Sequence, residues 1–206
     1  MPPWRTLAAS AAVLIAGGAA LAAASDGFQA FTTATALRVA VRAHPVRIPA
    51  TVRLETHKSR RIALSDLRGK WLLVDFIYTR CPTYCVALGA TFAQLQDRLA
   101  APIAAGRLVL LSVSVDPDHD TPQRLAAYLA RAHDRGAGWI AARPLGVQDL
   151  RRLERGFGVT VTPDPLGAYA HSVAVYLVDP QGRLVEILDA ADADVVAHAL
   201  DSRLRS

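Results

Sequence analysis

The chain has 206 residues, 52% hydrophobic and 20% charged, which is enough for one domain with a sizeable core plus short additions. Its formal charge is +5, yet the arginines are spread along the chain and no basic run interleaves with aromatics, which argues against a nucleic-acid groove. A mildly basic surface suits an acidic protein partner or an anionic lipid equally well.

The chain opens with MPPWRTLAASAAVLIAGGAALAAAS, in which Arg5 precedes an uncharged run from Thr6 to Ser25. Ala22-Ala23-Ala24 before Ser25 fits a small-residue cleavage site, so residues 1–25 read as a secretory signal peptide or a single membrane anchor. A bilayer span takes roughly 17–25 residues, and the run reaches that length. Export matters for thiols, which tend to oxidise outside the cytosol unless something reduces or ligates them.

Residues 26–50 read as a linker, with a short helix-like middle from Thr35 to Val41 and prolines at 45 and 49. The folded domain is expected over residues 51–206. TVRLETHKSRRIAL predicts two short strands around a polar turn. WLLVDFIY, Trp71 to Tyr78, is an apolar run of strand length, as expected of a buried parallel strand. Leu88, Phe92, Leu95 and Leu99 then recur at spacings of four, three and four, which is one face of a helix. LVLLSVSV, Leu108 to Val115, predicts a second buried strand. DPDHDTPQ prepares another helix, with Thr121 as N-cap and Pro122 at its first position. A short strand is expected at Trp139–Ala142, and a helix through Leu150, Leu153 and Phe157 that stops at Gly158. SVAVYLV and RLVEIL flank Asp179-Pro180-Gln181-Gly182, a hairpin signal. Val195, Val196, Leu200 and Leu204 mark a last amphipathic helix. Strand–helix–strand units followed by a hairpin predict an α/β, thioredoxin-like fold: a mixed central sheet flanked by helices, with an N-terminal hairpin addition.

The only cysteines, Cys81 and Cys85, lie in FIYTRCPTYCVALG. Cys81 follows the Trp71–Tyr78 strand and Cys85 falls in the first turn of the next helix. Ligand sites in α/β sheets favour the crevice beyond the carboxyl ends of strands, and helix N-termini favour thiolate over thiol. The spacing is C-x-x-x-C rather than the redox C-x-x-C. In a fully helical loop the two Cα atoms would lie ~6 Å apart, compatible with a disulfide or with an ion bridging two thiolates. A structural staple, a redox couple and a metal clip therefore all stand. The staple is the weakest, because so short a loop constrains the unfolded chain little. Two cysteines cannot complete a structural zinc site, whereas Cu(I) accepts few ligands and prefers soft thiolates. Two sulfurs and one imidazole would suffice.

Six histidines could supply that imidazole. His133 and His198 read as solvent-facing on helices, and His44 and His57 lie in the linker and first turn. His119 follows the Leu108–Val115 strand. His171, at the end of TPDPLGAYAH, is best placed, although on the residues alone a surface or capping role is the commoner one for such a histidine.

The pieces LSDLRGKWLLVDFIYTRCPTYC, LLSVSVDPDHDTPQRLAAYL, RLERGFGV and AHSVAVYLVDPQGRLVEIL, in that order over most of residues 51–190, resemble the Sco/SenC family of copper-binding assembly factors. The Y-T-x-C-P-x-x-C and S-V-D-P-x-x-D-T-P pieces are specific together. The resemblance implies a thioredoxin fold on the periplasmic side of the inner membrane, anchored or soluble after cleavage, with a copper ion held by Cys81, Cys85 and His171. It implies a copper metallochaperone whose partner is the copper-site subunit of a cytochrome c oxidase, with other copper carriers or thiol reductases as further partners. The alternative is a thiol–disulfide oxidoreductase that reduces the partner's copper-site cysteines, with Cys81 and Cys85 as the catalytic redox pair. Asp116 would be a loop residue near the site without a ligand role. Two positions depart from the family's common pattern: Thr83 stands where an acidic residue usually follows Cys-Pro, and Ala170 where aspartate usually precedes the histidine. The segment CVALGATF points to a divergent bacterial branch.

Overall fold

The computed structural model describes residues 3–24, 32–81, 84–163, 169–171, 174–189 and 192–204. Contacts divide the chain into residues 1–43 and residues 44–206. The first unit holds two helices, α1 (Pro3–Ala24) and α2 (Thr33–Ala43). Within α1 the described side chains run from Ser10 to Ala23, with Val13, Leu14 and Ile15 exposed. Among the described residues no helix is long and apolar enough to cross a membrane.

The second unit carries the sheet. Its elements in order are β1 (Val46–Arg47), β2 (Arg53–Thr56), β3 (Arg61–Ala63), a 3-10 turn (Leu64–Leu67), β4 (Trp71–Ile77), α3 (Tyr84–Arg98), α4 (Ala100–Ala104), β5 (Leu108–Ser114) and α5 (Pro122–Arg131). Then follow β6 (Trp139–Pro144), α6 (Val147–Phe157), β7 (Val161–Pro163), β8 (Tyr169–His171), β9 (Ala174–Val178), β10 (Arg183–Asp189) and α7 (Ala193–Leu204). Eight strands form one mixed sheet in the order β1-β10-β9-β4-β5-β6-β2-β3, and β7 and β8 form a small second sheet. The chain is thus α/β and thioredoxin-like, as the element order predicts. The β2–β3 hairpin extends the sheet beyond β6, with Leu54 opposite Pro144. β1 falls inside the span read as a linker and pairs with β10, Val46 opposite Leu184.

The centre is β4 and β5, parallel, with Asp75 opposite Ser112. Both strands are buried on both faces, which is why their sequences run apolar rather than alternating. β9 covers the other side of β4 in antiparallel register, Leu73 opposite Leu177. Alternation along β4 sends Phe76 to one face and Asp75 to the other. On the first face Phe76 meets Phe157 of α6 at 5.3 Å and Tyr176 of β9 at 5.4 Å, both edge-on. On the second, Phe92 of α3 lies 5.6 Å from Trp139, whose indole N–H donates to Ser112 Oγ at 2.9 Å. Thr121 caps α5 by accepting from the Arg124 N–H, with Pro122 at the first position. Gly158, at φ 65°, takes the left-handed turn that ends α6.

Phe157 is 1% exposed at the centre of the aromatic cluster. Phe157→Ala is expected to cost about 3–5 kcal/mol in urea unfolding. A cost below about 1 kcal/mol would show that this cluster does not anchor α6 to the sheet.

Candidate metal and redox site

β4 delivers the chain through Tyr78, Thr79 and Arg80 to Cys81, and α3 begins at Tyr84 with Cys85 in its first turn. Both cysteines are buried, with Cys81 8% and Cys85 1% exposed. The Cys81 N–H donates to the Tyr78 carbonyl at 3.1 Å, which closes the loop. The Cys85 N–H donates to Cys81 Sγ at 3.3 Å. A helix-terminal amide aimed at sulfur favours negative charge on Cys81. Burial pushes the Cys85 thiol up, and the neighbouring Cys81 and a charge on Asp75 push it further. The pair is therefore unequal: one sulfur is served by a helix N-terminus, and the other is held as a thiol until a cation or proton acceptor compensates it.

The loop is fixed by two carboxylates that follow β5. Asp120 accepts from the Thr79 N–H at 3.1 Å, from Thr79 Oγ1 at 2.6 Å and from Ser114 Oγ at 2.6 Å. Asp116 accepts from Arg80 Nη2 at 2.7 Å and from the Tyr169 hydroxyl at 3.4 Å, while its own N–H donates to Ser114 Oγ. Thus S-V-D-P-x-x-D-T-P clamps the residues just before Cys81, a job that its reading as a helix preparation did not reveal. Asp116 has this anchoring role.

Tyr169 lies in β8, and its ring meets Tyr78 edge-on at 5.3 Å. Burial pushes both phenols up, and the nearby Asp116 carboxylate raises Tyr169 further. His171 is in the same strand, opposite Val161 of β7. Tyr169 therefore docks the histidine-bearing strand against the cysteine loop, while the His171 side chain lies outside the described residues. Loop residues Pro82 and Thr83, and the Ala170 side chain, lie outside them as well. Of the other histidines, His57 is bonded through Nδ1 at Ala141, and His119 lines a cavity beside Arg80. His44, His133 and His198 are exposed. Among the described residues no three His, Cys, Asp or Glu side chains gather as a metal cluster. Two adjacent sulfurs are soft donors of the kind that Cu(I) prefers.

The cysteines open onto a cleft of about 620 Å³ whose walls include Tyr78, Arg80, Val86, Tyr128 and Arg131. The Tyr128 hydroxyl donates to the Cys85 carbonyl at 3.4 Å, tying α5 to the start of α3. Nothing in the local sequence links Tyr128 to Cys85, because the contact crosses 43 positions.

A family model described as SCO1/SenC matches residues 43–205. The chain is 26% identical over 138 residues to the mitochondrial "Protein SCO1 homolog" of Homo sapiens, covering 65% of this chain and 44% of that protein. It is 32% identical over 122 residues to a "Putative copper-binding protein" of Stutzerimonas stutzeri, covering 57% of each. The chain spans about half the length of such curated relatives. Among solved structures it is similar to a SCO1/SenC family lipoprotein from Bacillus anthracis, with a TM-score of 0.70 and 23% identity over 79% of this chain and 98% of that one. That likeness concerns the fold.

One buried group near the thiols stands apart. Asp75 is fully buried, and neither carboxyl oxygen makes a well-formed hydrogen bond. Burial raises its pKa from 3.8 to about 7, partly offset by the Ser112 hydroxyl across the β4–β5 pair. The native state thus holds the Asp75 proton more tightly than the unfolded chain does. Stability from this group is full below pH 4, falls between about pH 4 and pH 7, and stays low above, a loss of about 4 kcal/mol. Asp75→Asn should remove that slope, so the variant gains on the wild type as pH rises from 4 to 8. Urea unfolding at pH 4, 6 and 8 checks this, and parallel profiles for the two proteins would refute it.

Proposed function

The chain belongs to the SCO1/SenC family, and from that premise we propose that it is an exported copper metallochaperone serving the dinuclear copper site of a cytochrome c oxidase. Copper is its cargo. The single observation that carries this reading is the pair of adjacent, buried cysteines at the mouth of a cleft. A buried thiolate pair is costly without a counter-charge, and a soft monovalent cation supplies one. A relative named as a putative copper-binding protein supports the same cargo.

In this reading Cys81, Cys85 and His171 hold the ion. The Cys85 N–H supports charge on Cys81, and the Asp120 and Asp116 clamps keep the loop in place as the ion leaves. Transfer proceeds by exchange of these ligands for the partner's cysteines, and each thiol of this chain regains a proton as it releases the metal. The apolar segment 6–25 directs export or anchors the chain on the periplasmic side of the inner membrane.

One observation favours the second reading, a thiol–disulfide oxidoreductase. Asp75 is a buried carboxyl close enough to influence Cys85, and its pKa near 7 equips it to accept that thiol's proton. The Cys81 thiolate would attack a partner disulfide and release one partner thiol. Cys85, its proton passed to Asp75, would then attack Cys81 Sγ and release the second. Two electrons pass from the Cys81–Cys85 dithiol to the partner, and a thiol reductant must restore the pair.

The reduced protein should bind one copper per chain, with affinity rising with pH as thiol protons are displaced. Competition with a Cu(I) chelator should show His171→Ala weakened by more than about tenfold and Cys81→Ser without tight binding. Retention of one tightly held copper by Cys81→Ser would refute the chaperone reading. The oxidoreductase reading expects the dithiol protein to reduce an oxidised two-cysteine peptide, more slowly in Asp75→Asn. Absence of any such reduction would eliminate it.

A further inference from the structure

The cleft beside the cysteines does not end at the cysteines. A second cavity of about 230 Å³ shares Thr79, Arg80 and Arg131 with it and adds His119, Arg124 and Ala127. The two therefore form one trough along α5, in which residues 124, 127, 128 and 131 share a helical face. No carboxylate lines either cavity among the described residues.

The charges in this trough are unequally satisfied. Arg80 is neutralised by Asp116. Among the described residues Arg124 reaches only the His119 carbonyl, an uncharged acceptor. Arg131, exposed in the last turn of α5, makes no ion pair or hydrogen bond among the described residues. Two positive charges are thus left uncompensated. Seven residues of helix separate them by about 10 Å along the axis, which is about three residues of an extended polyproline II chain, in which side chains three apart share a face. In the cleft itself, Val86 follows Cys85 on α3 and is 63% exposed, a large apolar surface beside the sulfurs.

We propose that this trough is the docking site for an extended, acidic, cysteine-bearing segment of a partner protein, with its apolar part against Val86 and two carboxylates about three residues apart on Arg124 and Arg131. Only the partner's cysteine rests on the function proposed above; the acidity follows from the arginines. Thiol, apolar surface and Arg131 share the cleft and Arg124 lies in the cavity that continues it, a run of groups that a linear chain can engage together. The surplus charge also discriminates, since a basic segment would meet like charge at both positions.

The test uses the full-length reduced protein and a labelled peptide of about twelve residues, with serine in place of cysteine so that docking is read without chemistry. One peptide carries glutamates three residues apart, and its control carries lysines there. Fluorescence anisotropy should show the acidic peptide bound at least about tenfold more tightly than the basic one at low salt, with the preference shrinking at 0.5 M salt. R124E/R131E should abolish or invert the preference, and R124K/R131K, which keeps the charges, should retain it. Equal binding of the two peptides, or an undiminished preference in R124E/R131E, would overturn the proposal. Displacement of the acidic peptide by an equal concentration of reduced glutathione would assign the trough to a small anionic thiol and overturn it too. Copper stoichiometry and thiol titration of R124E/R131E are read alongside. If these stay intact while docking is lost, the trough is confirmed separately from the metal site. If the wild type docks the acidic peptide but holds no copper, the trough stands and the chaperone reading falls.

Discussion

The site depends on one buried carboxylate. Asp120 is wholly inaccessible and gathers donors from the end of β4, through Thr79, and from the end of β5, through Ser114. Those two strands are parallel, so their carboxyl ends open on the same side and would otherwise splay into separate loops. Three donor groups on one buried acid hold them together, and charge-assisted bonds of this kind are stronger than neutral ones. The next residue, Thr121, caps α5. The geometry of the cysteine loop, the start of α5 and the wall of the cleft therefore share a single origin. Asp116 extends the clamp outward through Arg80 to one side and Tyr169 to the other.

Around that clamp the chain keeps charged or chargeable groups in places where water cannot serve them. Cys85 is buried almost completely, and Asp75 is buried beneath it without a well-formed hydrogen bond. Burial favours the neutral form of both, and both become costly when ionised. Their proximity means that ionisation of one opposes ionisation of the other. Such a pair behaves as a single proton-holding unit whose charge is set by what enters the cleft. An apolar residue at position 75 would avoid the expense, so this stretch of β4 is not optimised for stability alone.

Much of this was legible from the sequence, for reasons that can be named. β4 and β5 declared themselves because strands buried on both faces leave no polar alternation. Thr121, Pro122, Gly158 and the Asp179–Gly182 turn gave the ends of elements because each residue type answers a local backbone demand. β1 was hidden, since two residues carry no period and their pairing with β10 spans most of the chain. Asp75 was hidden for the opposite reason. It is one polar residue in an apolar run, and nothing in that run states how deep it lies or what lies above it. Arg124 and Arg131 look like the ordinary solvated side of an amphipathic helix, and only the folded chain reveals that Arg131 lines the cysteine cleft and Arg124 the cavity that continues it. The clamp motif was visible as a string of residues, but its purpose required Thr79 and Arg80, more than thirty positions away.

The sheet's two borders carry a last consequence. It ends on one side in β1, two residues long and exposed, and on the other in β3, three residues long. Each border bears an exposed arginine, Arg47 or Arg61. An edge this short and this charged presents few open amides and carbonyls for another strand to zip onto. The effect is colloidal: eight strands' worth of pairing capacity is sealed at its margins, so copies of the chain find little purchase on one another's backbone. Association is left to side chains, such as the sulfur, tyrosine and arginine groups that line the cleft.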